Sequence, residues 1–501
     1  MRLNEFNRVV MAAMVVLTAA SFTACNRAES TKSAAASADG GKIPITTKSE
    51  EARKEFLQAR DLSEKLLAQD SLQHYDKAIA LDPEFASAEL ARANVSPTAK
   101  EFFEHQKKAV SLADKASEGE KLLILANEAG TNGAPAKQRE YLEKLVATYP
   151  NDERGHFNLG GFYFAQQDME KAIDQYRKAT ELNPNYSAAY NILGYAYRQQ
   201  VDYPNAEQAF KRYIELIPND PNPYDSYAEL LLKMGRFDDS IAQYRKALSL
   251  DPHFVPSHFG ISADLMYLGK PDDAAAELQK MAEQSRNDGE LRTAYFGMAV
   301  VAADNGKLDK ALQQMDKEYA VAEKKNDMAS MSADLQAKGN ILSAMHKYDD
   351  AAKQFQRSLE LIQSAAVSQQ VKDNAKLFLH FNLTTVALGK KDLTTAKSEA
   401  EEFRKGAEAS QNSAQLKQAH ELAGSIALAE KDYDKAITEL EKANLQNPRN
   451  LYRLGQAYQG KGDSAKAQEY GAKAAEFNPL PQLNYAFIRR DAKKLAGGKR
   501  A

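Results

Sequence analysis

The chain of 501 residues has one cysteine and no tryptophan, and its 66 basic and 69 acidic residues leave a net charge of −3. A single cysteine excludes an intramolecular disulfide and any multi-cysteine metal site. So even a balance of charge lacks the concentrated basic field that nucleic-acid binding requires. No second compositional block appears along the chain, which favours one extended architecture over several globules. With 27% charged and 43% hydrophobic residues, the composition is that of a folded, helix-rich chain. The apolar run near the N-terminus, residues 9–20, would make a helix of roughly 18 Å, short of the roughly 30 Å hydrocarbon core of a bilayer.

That run follows Arg2 and Arg8 and leads into Ser21, Phe22, Thr23, Ala24 and Cys25, the layout of a signal peptide. Residues 22–25 resemble a bacterial lipobox, in which a cysteine behind small residues is diacylated and becomes the mature N-terminus. Phe22 departs from the usual leucine. The resemblance implies a lipoprotein signal peptide over 1–24, lipidation of Cys25 and a cell-envelope location facing the periplasm or the surface. Each buried CH₂ contributes about 0.8 kcal/mol, so two or three chains anchor where one does not. The alternative is ordinary cleavage near Ala20 or Ala24, with Cys25 left as a bystander. Residues 25–50, rich in Ser, Ala, Thr and Lys and carrying Gly40 and Gly41, are expected to form a flexible tether.

From Gly119 the chain aligns on itself in segments that begin at Gly119, Glu153, Ser187, Pro221 and Val255, each 34 residues after the last. Small residues coincide in this register: Gly160, Gly194 and Ala228, then Ala172, Ala206 and Ser240, where two helices must approach closely. Bulky ones coincide too, as Tyr176, Phe210 and Tyr244 do. Pro150, Pro184, Pro218 and Pro252 recur near the end of each segment, where a residue without an N–H stops a helix. Asn158, Leu159, Gly160, Ala172, Tyr176, Ala179 and Pro184 together resemble one unit of the tetratricopeptide repeat. The resemblance implies an all-α, right-handed superhelical solenoid of stacked antiparallel hairpins. About ten units are expected over 51–480, most regular at 119–282 and 417–480 and distorted over 283–415. Residues 87–117 are the least regular. Residues 483–495 are expected to close the array as a helix, within a cap and tail over 481–501, with Arg489, Arg490, Lys493 and Lys494 outward.

Catalysis needs convergent nucleophiles, bases or ligands, and no such set is legible. His253 and His258 straddle Pro256, so they share no continuous helical face, and the other six histidines are scattered. The glycine pairs 160–161 and 497–498 lack the spacing of a phosphate loop. Asp238 and Asp239, Asp272 and Asp273, and Asp349 and Asp350 recur where second helices start, a place that favours carboxylates through the helix dipole. A non-enzymatic chain without catalytic residue, metal or cofactor is the expectation, with no small-molecule substrate evident. The alternative is an envelope accessory subunit or weak hydrolase whose site lies in 283–415.

In tetratricopeptide arrays the first helices line a concave groove, so the resemblance implies a protein or peptide partner there. Carried over by position, the groove candidates are Arg154, Phe157 and Phe164, then Asn191, Tyr195 and Arg198, then Asn222, Asp225 and Glu229, then Phe259 and Tyr267. The competing reading packs several of these aromatics against the next repeat. The lysine, asparagine and arginine clamp that some members use for chaperone C-termini does not map, since its positions hold Phe157, Gly161, Ile192, Asn222 and Ser226. The expected role is a membrane-tethered scaffold of an envelope complex, in secretion, outer-membrane assembly, pilus or polysaccharide export, among which analogy cannot choose.

Overall fold

The computed structural model describes residues 41–65, 67–410 and 412–497. Cys25 and residues 1–24 lie outside them. The described residues form twenty-six α-helices and no strand, as an all-α, right-handed solenoid. Twenty-four of them pair into twelve antiparallel hairpins. Hairpins 1 to 7 span residues 50–81, 86–112, 118–148, 153–182, 187–216, 222–250 and 256–283, and hairpins 8 to 12 span 288–324, 328–364, 369–410, 413–442 and 448–475. Twelve exceed the ten that the sequence pattern marks. Hairpins 8 to 10 are built from helices of 17 to 21 residues, so the 34-residue period breaks there while the hairpin itself persists.

Local chemistry sets each hairpin. Asp168, Asp202, Asp432 and Asp463 cap second helices, each accepting from the N–H three residues on. The paired carboxylates Asp238 and Asp239, Asp272 and Asp273, and Asp349 and Asp350 stand in first turns of second helices. Helix crossing depends on the recurrent small residue. A Cβ added at Gly194 would lie 2.8 Å from the Phe210 ring, and one at Gly160 2.8 Å from the Tyr176 ring. The ring sixteen residues on therefore fills the space that glycine leaves.

The solenoid closes on itself after seven hairpins. Asn287 Nδ2 donates to Gln69 Oε1 (2.8 Å), which joins the start of hairpin 8 to hairpin 1. Ser368 Oγ donates to Asn132 Oδ1 (2.5 Å), joining hairpin 10 to hairpin 3. Ser413 Oγ donates to Gln166 Oε1 (2.7 Å) and Lys417 Nζ to Gln167 Oε1 (2.9 Å), joining 11 to 4. Gln446 Nε2 donates to the Gln199 carbonyl (3.4 Å), joining 12 to 5. Hence the turn inside each first-turn hairpin abuts the junction before a hairpin of the second turn. This seam is apolar toward both ends. Phe102 and Phe103 meet Ile362 and Val371 in one cluster, and Leu232, Met266 and Val301 meet Leu451, Leu480 and Tyr485 in the largest core.

Two expectations about the ends change. Of the residues expected to form a flexible tether, 42–48 are laid across the junctions after hairpins 1, 2 and 3. The Ile43 N–H donates to Asp152 (2.9 Å), the Thr46 N–H to Glu120 (3.0 Å) and the Lys48 N–H to Asp82 (3.0 Å), while Lys42 pairs with Glu153. Buried carboxylates at helix ends need donors, and this segment supplies them. At the other end two short helices, Leu483–Ala486 and Arg489–Leu495, replace the single helix. Arg489 points inward, not outward. It is buried, with Nε donating to Asp304 (2.7 Å) and its guanidinium over the Tyr267 ring, because the cap packs against hairpins 7 and 8.

Candidate functional site

First helices approach the first helices of neighbouring hairpins directly, as 222–233 does 256–267 and 413–429 does 448–461, whereas second helices fan apart. First helices therefore make the concave layer. Polar side chains on that layer pair from one hairpin to the next. Arg198 donates to Glu229 (3.3 Å), Ser257 to Asp225 (2.8 Å) and Arg453 to Glu421 (2.6 Å). Arg292 donates bidentately to Asp334 (2.7 and 2.8 Å). These charge-assisted bonds fix the orientation of the inner wall.

The expected groove residues divide into two groups. Phe164, Phe259 and Tyr267 are buried in packing, and the Tyr267 hydroxyl donates to the Pro479 carbonyl of the cap segment. Asn222, Asp225 and Glu229 are buried, and Asn222 donates to the Tyr213 hydroxyl (2.5 Å). Phe157 packs between Tyr176 and Tyr186, at 5.8 and 5.3 Å between ring centres. Tyr195 and Arg198 form one unit, half-buried: the guanidinium lies 4.6 Å from the ring centre, and Phe210 meets the ring edge-on. Asn191 is buried, and its Oδ1 has no hydrogen-bond partner among the described residues. Arg154 crosses the interior to Glu64 of hairpin 1 (3.2 Å) while holding its own neighbour Glu153 (2.9 Å). Burial, against the pull of Arg154 and Arg60, raises the Glu64 carboxyl above the usual range.

Sequence reading missed a second set on the same layer. Lys417, Arg449 and Lys233 sit at consecutive steps of the seam, and among the described residues none has a carboxylate within ion-pair distance. Burial, reinforced by Arg198, pushes Lys233 down to about 7; its Nζ donates to the Phe477 carbonyl (2.5 Å) and lies 3.2 Å from that ring's centre. Burial, reinforced by Arg453 and opposed by Glu421, lowers Arg449 to about 10. Lys417 is lowered by burial, opposed by Asp168. A lysine or arginine near a helix end looks like a solvated charge in sequence, and only the seam encloses these.

Over 283–415 the chain continues the same hairpins. Its Arg292, Glu318 and Asp334 make an ion-pair set, His380 pairs with Glu399 (2.6 Å), and His346 is exposed beside Tyr348. Elsewhere His258 is buried on Glu277 (2.7 Å), while His253 is exposed. Among the described residues no three His, Cys, Asp or Glu gather as metal ligands.

Among solved structures the chain is similar to a tetratricopeptide repeat protein from Parabacteroides merdae ATCC 43184, at 15% identity over 53% of this chain and 99% of that one, with a TM-score of 0.36. It is similar to MamA from Desulfovibrio magneticus RS-1, at 19% identity over 34% and 97%, with a TM-score of 0.29. A third is YrrB, described as a TPR protein with an unusual peptide-binding site, at 20% identity over 39% and 98%, with a TM-score of 0.25. No curated protein matches the chain. Models of the TPR repeat match residues 160–201, and models of the tetratricopeptide repeat match 187–220, 222–254, 259–327, 418–450 and 448–479. The hairpins over these stretches are therefore tetratricopeptide repeats, and the chain carries an array of them in both turns of its solenoid.

Proposed function

We propose that this protein is a scaffold of the bacterial cell envelope, tethered to a membrane through a lipidated Cys25, that holds a partner protein on the inner wall of its repeat array. The observation that supports the scaffold reading is the run of helical hairpins from residue 50 to residue 475, of which those over 160–327 and 418–479 match tetratricopeptide models and whose first helices form the concave layer. Such a wall offers spaced aromatic and guanidinium anchors, the residue types that dominate binding energy at protein interfaces. Tyr195 with Arg198 is the anchor proposed first. The envelope and tether reading is supported by the charged start, the apolar run and the small residues before Cys25.

Two experiments test the two halves. Radiolabelled palmitate should enter the wild type in cells and not Cys25→Ser; equal labelling of both, or a wholly soluble wild type, removes the tether. Affinity capture from detergent-solubilised envelopes should return a defined partner whose affinity falls roughly thirtyfold in Tyr195→Ala or Arg198→Ala, the equivalent of about 2 kcal/mol. Lys211→Ala, on an exposed second helix, is the control. Equal binding by all three folded variants moves the contact off this part of the wall.

A further inference from the structure

Three cations stand in a row along the inner side of the seam. Lys417 lies where hairpin 11 rests on hairpin 4, Arg449 where 12 rests on 5, and Lys233 where the segment before the cap rests on hairpin 6. All three belong to first helices, hence to the concave layer, and all three are half-buried. Among the described residues Asp168 is near Lys417 and Glu421 near Arg449, but neither carboxylate is within ion-pair distance of the cation. Lys417 donates to an amide, and Lys233 donates to a backbone carbonyl and has Arg198 for a charged neighbour. Beside Arg449, the carboxylate of Glu421 is already taken by Arg453 (2.6 Å), Asn450 (3.1 Å) and Asn447 (3.3 Å).

An enclosed cation without a counter-ion is costly, because the charge is desolvated and no opposite charge offsets the loss. A ligand carboxylate would offset it. Adjacent packed helices lie about 8 to 10 Å apart. An extended chain rises about 3.3 Å per residue, so one acidic residue in three keeps step with the first helices of hairpins 11 and 12, which carry Lys417 and Arg449.

We infer that the seam side of the inner wall binds an extended acidic segment of the partner protein, with carboxylates about three residues apart meeting Lys417 and Arg449 and a further one meeting Lys233 across the seam. This rests on the scaffold reading and adds the chemistry of the partner. Surface lysines generally do not discriminate in this way, since their ion pairs are weak and screened. Here burial of the cations makes the charge selective, and Lys211 on an exposed second helix supplies the contrast.

The probe is a fluorescent twelve-residue peptide with glutamate at every third position, read by anisotropy against the full chain. A twin peptide with lysine at those positions is the control. The wild type should bind the glutamate peptide and not the lysine peptide. Arg449→Ala and Lys417→Ala should each weaken binding at least tenfold, and Lys211→Ala should leave it unchanged. Melting curves keep the reading clear of folding defects: Arg449→Ala should not lower the midpoint, and Lys417→Ala, which loses its bond to Gln167, should lower it no more than Gln166→Ala does. Equal binding of both peptides, no binding by the wild type, or an unchanged affinity in the two seam variants overturns the inference. A captured partner that binds Arg449→Ala as tightly as wild type also overturns it and leaves the scaffold standing; absence of any defined partner tells against the scaffold itself.

Discussion

Hairpins 3 to 5 and hairpins 9 to 11 share one fold but differ in the turns between their two helices. In the first group these turns hydrogen-bond to the second turn of the solenoid through amides and a carbonyl, at Asn132, Gln166, Gln167 and Gln199, while Val201 beside them stays exposed. In the second they are open to solvent and carry His346, Lys347, Lys390, Lys391 and Lys431. The turn conformation is the same, since Gln167, Val201, His346, Lys391 and Lys431 all adopt positive φ. Polarity therefore follows the seam, not the repeat. An amide can donate and accept at a closed junction without bringing a charge into it, whereas a lysine keeps its ammonium in water.

The largest effect should come from the closed side of this comparison. Asp304→Ala leaves Arg489 buried without its carboxylate, which should cost about 3 to 5 kcal/mol. Chemical denaturation measures it, and a loss within 1 kcal/mol would mean that the cap is not seated on hairpin 8. A second effect is pH-dependent. Asp264, fully buried with Oδ2 accepting from Ser240, is pushed by burial up to about 8 from 3.8. Between these values the native state holds a proton that the unfolded chain has released, so stability falls as pH rises. One proton gives up to about 1.4 kcal/mol per pH unit. Wild type should therefore lose about 2 kcal/mol more than Asp264→Asn between pH 5 and pH 7; parallel curves would place the carboxyl in contact with water.

Crossing contacts rank next. Gly194→Leu drives a side chain into the Phe210 ring and should cost on the order of 1 to 3 kcal/mol. Lys246→Ala, exposed on a second helix, should stay within about 0.5 kcal/mol. Equal midpoints for the pair would put the close helix contact elsewhere. The smallest effect compares the two kinds of turn. Gln166→Ala removes one acceptor from the seam and should cost about 1 kcal/mol, against nearly nothing for Lys431→Ala. If Lys431→Ala were the more damaging, the seam would not be what distinguishes them.

The hairpins were legible because each is a local object: Gly194 and Phe210 lie sixteen residues apart, and spacing repeated at 34 residues exposes them. The seam was not, because its partners lie 218 to 250 residues apart and look like ordinary loop amides and serines. Arg489 looks like part of a solvated face for the same reason, its carboxylate being on hairpin 8. Residues 42–48 have the composition of a linker, yet their N–H groups answer carboxylates fixed by hairpins they precede. Of the groove residues, position on first helices was readable for all. The competing reading has several of the aromatics packed against the next repeat, but which ones are buried, Phe164, Phe259 and Tyr267, is set by the neighbouring hairpin or the cap.

Closure after seven hairpins is tested most directly by placing thiols across the seam in a Cys25→Ser background. Gln166→Cys with Ser413→Cys occupies positions whose side chains touch, at 2.7 Å between Ser413 Oγ and Gln166 Oε1. Gln166→Cys with Gln446→Cys is one hairpin out of register. A short thiol-specific cross-linker should join the first pair rapidly within the monomer and leave the second unjoined. Joining of both pairs at equal rate, or of neither while both thiols react with a small maleimide, contradicts a closed two-turn solenoid.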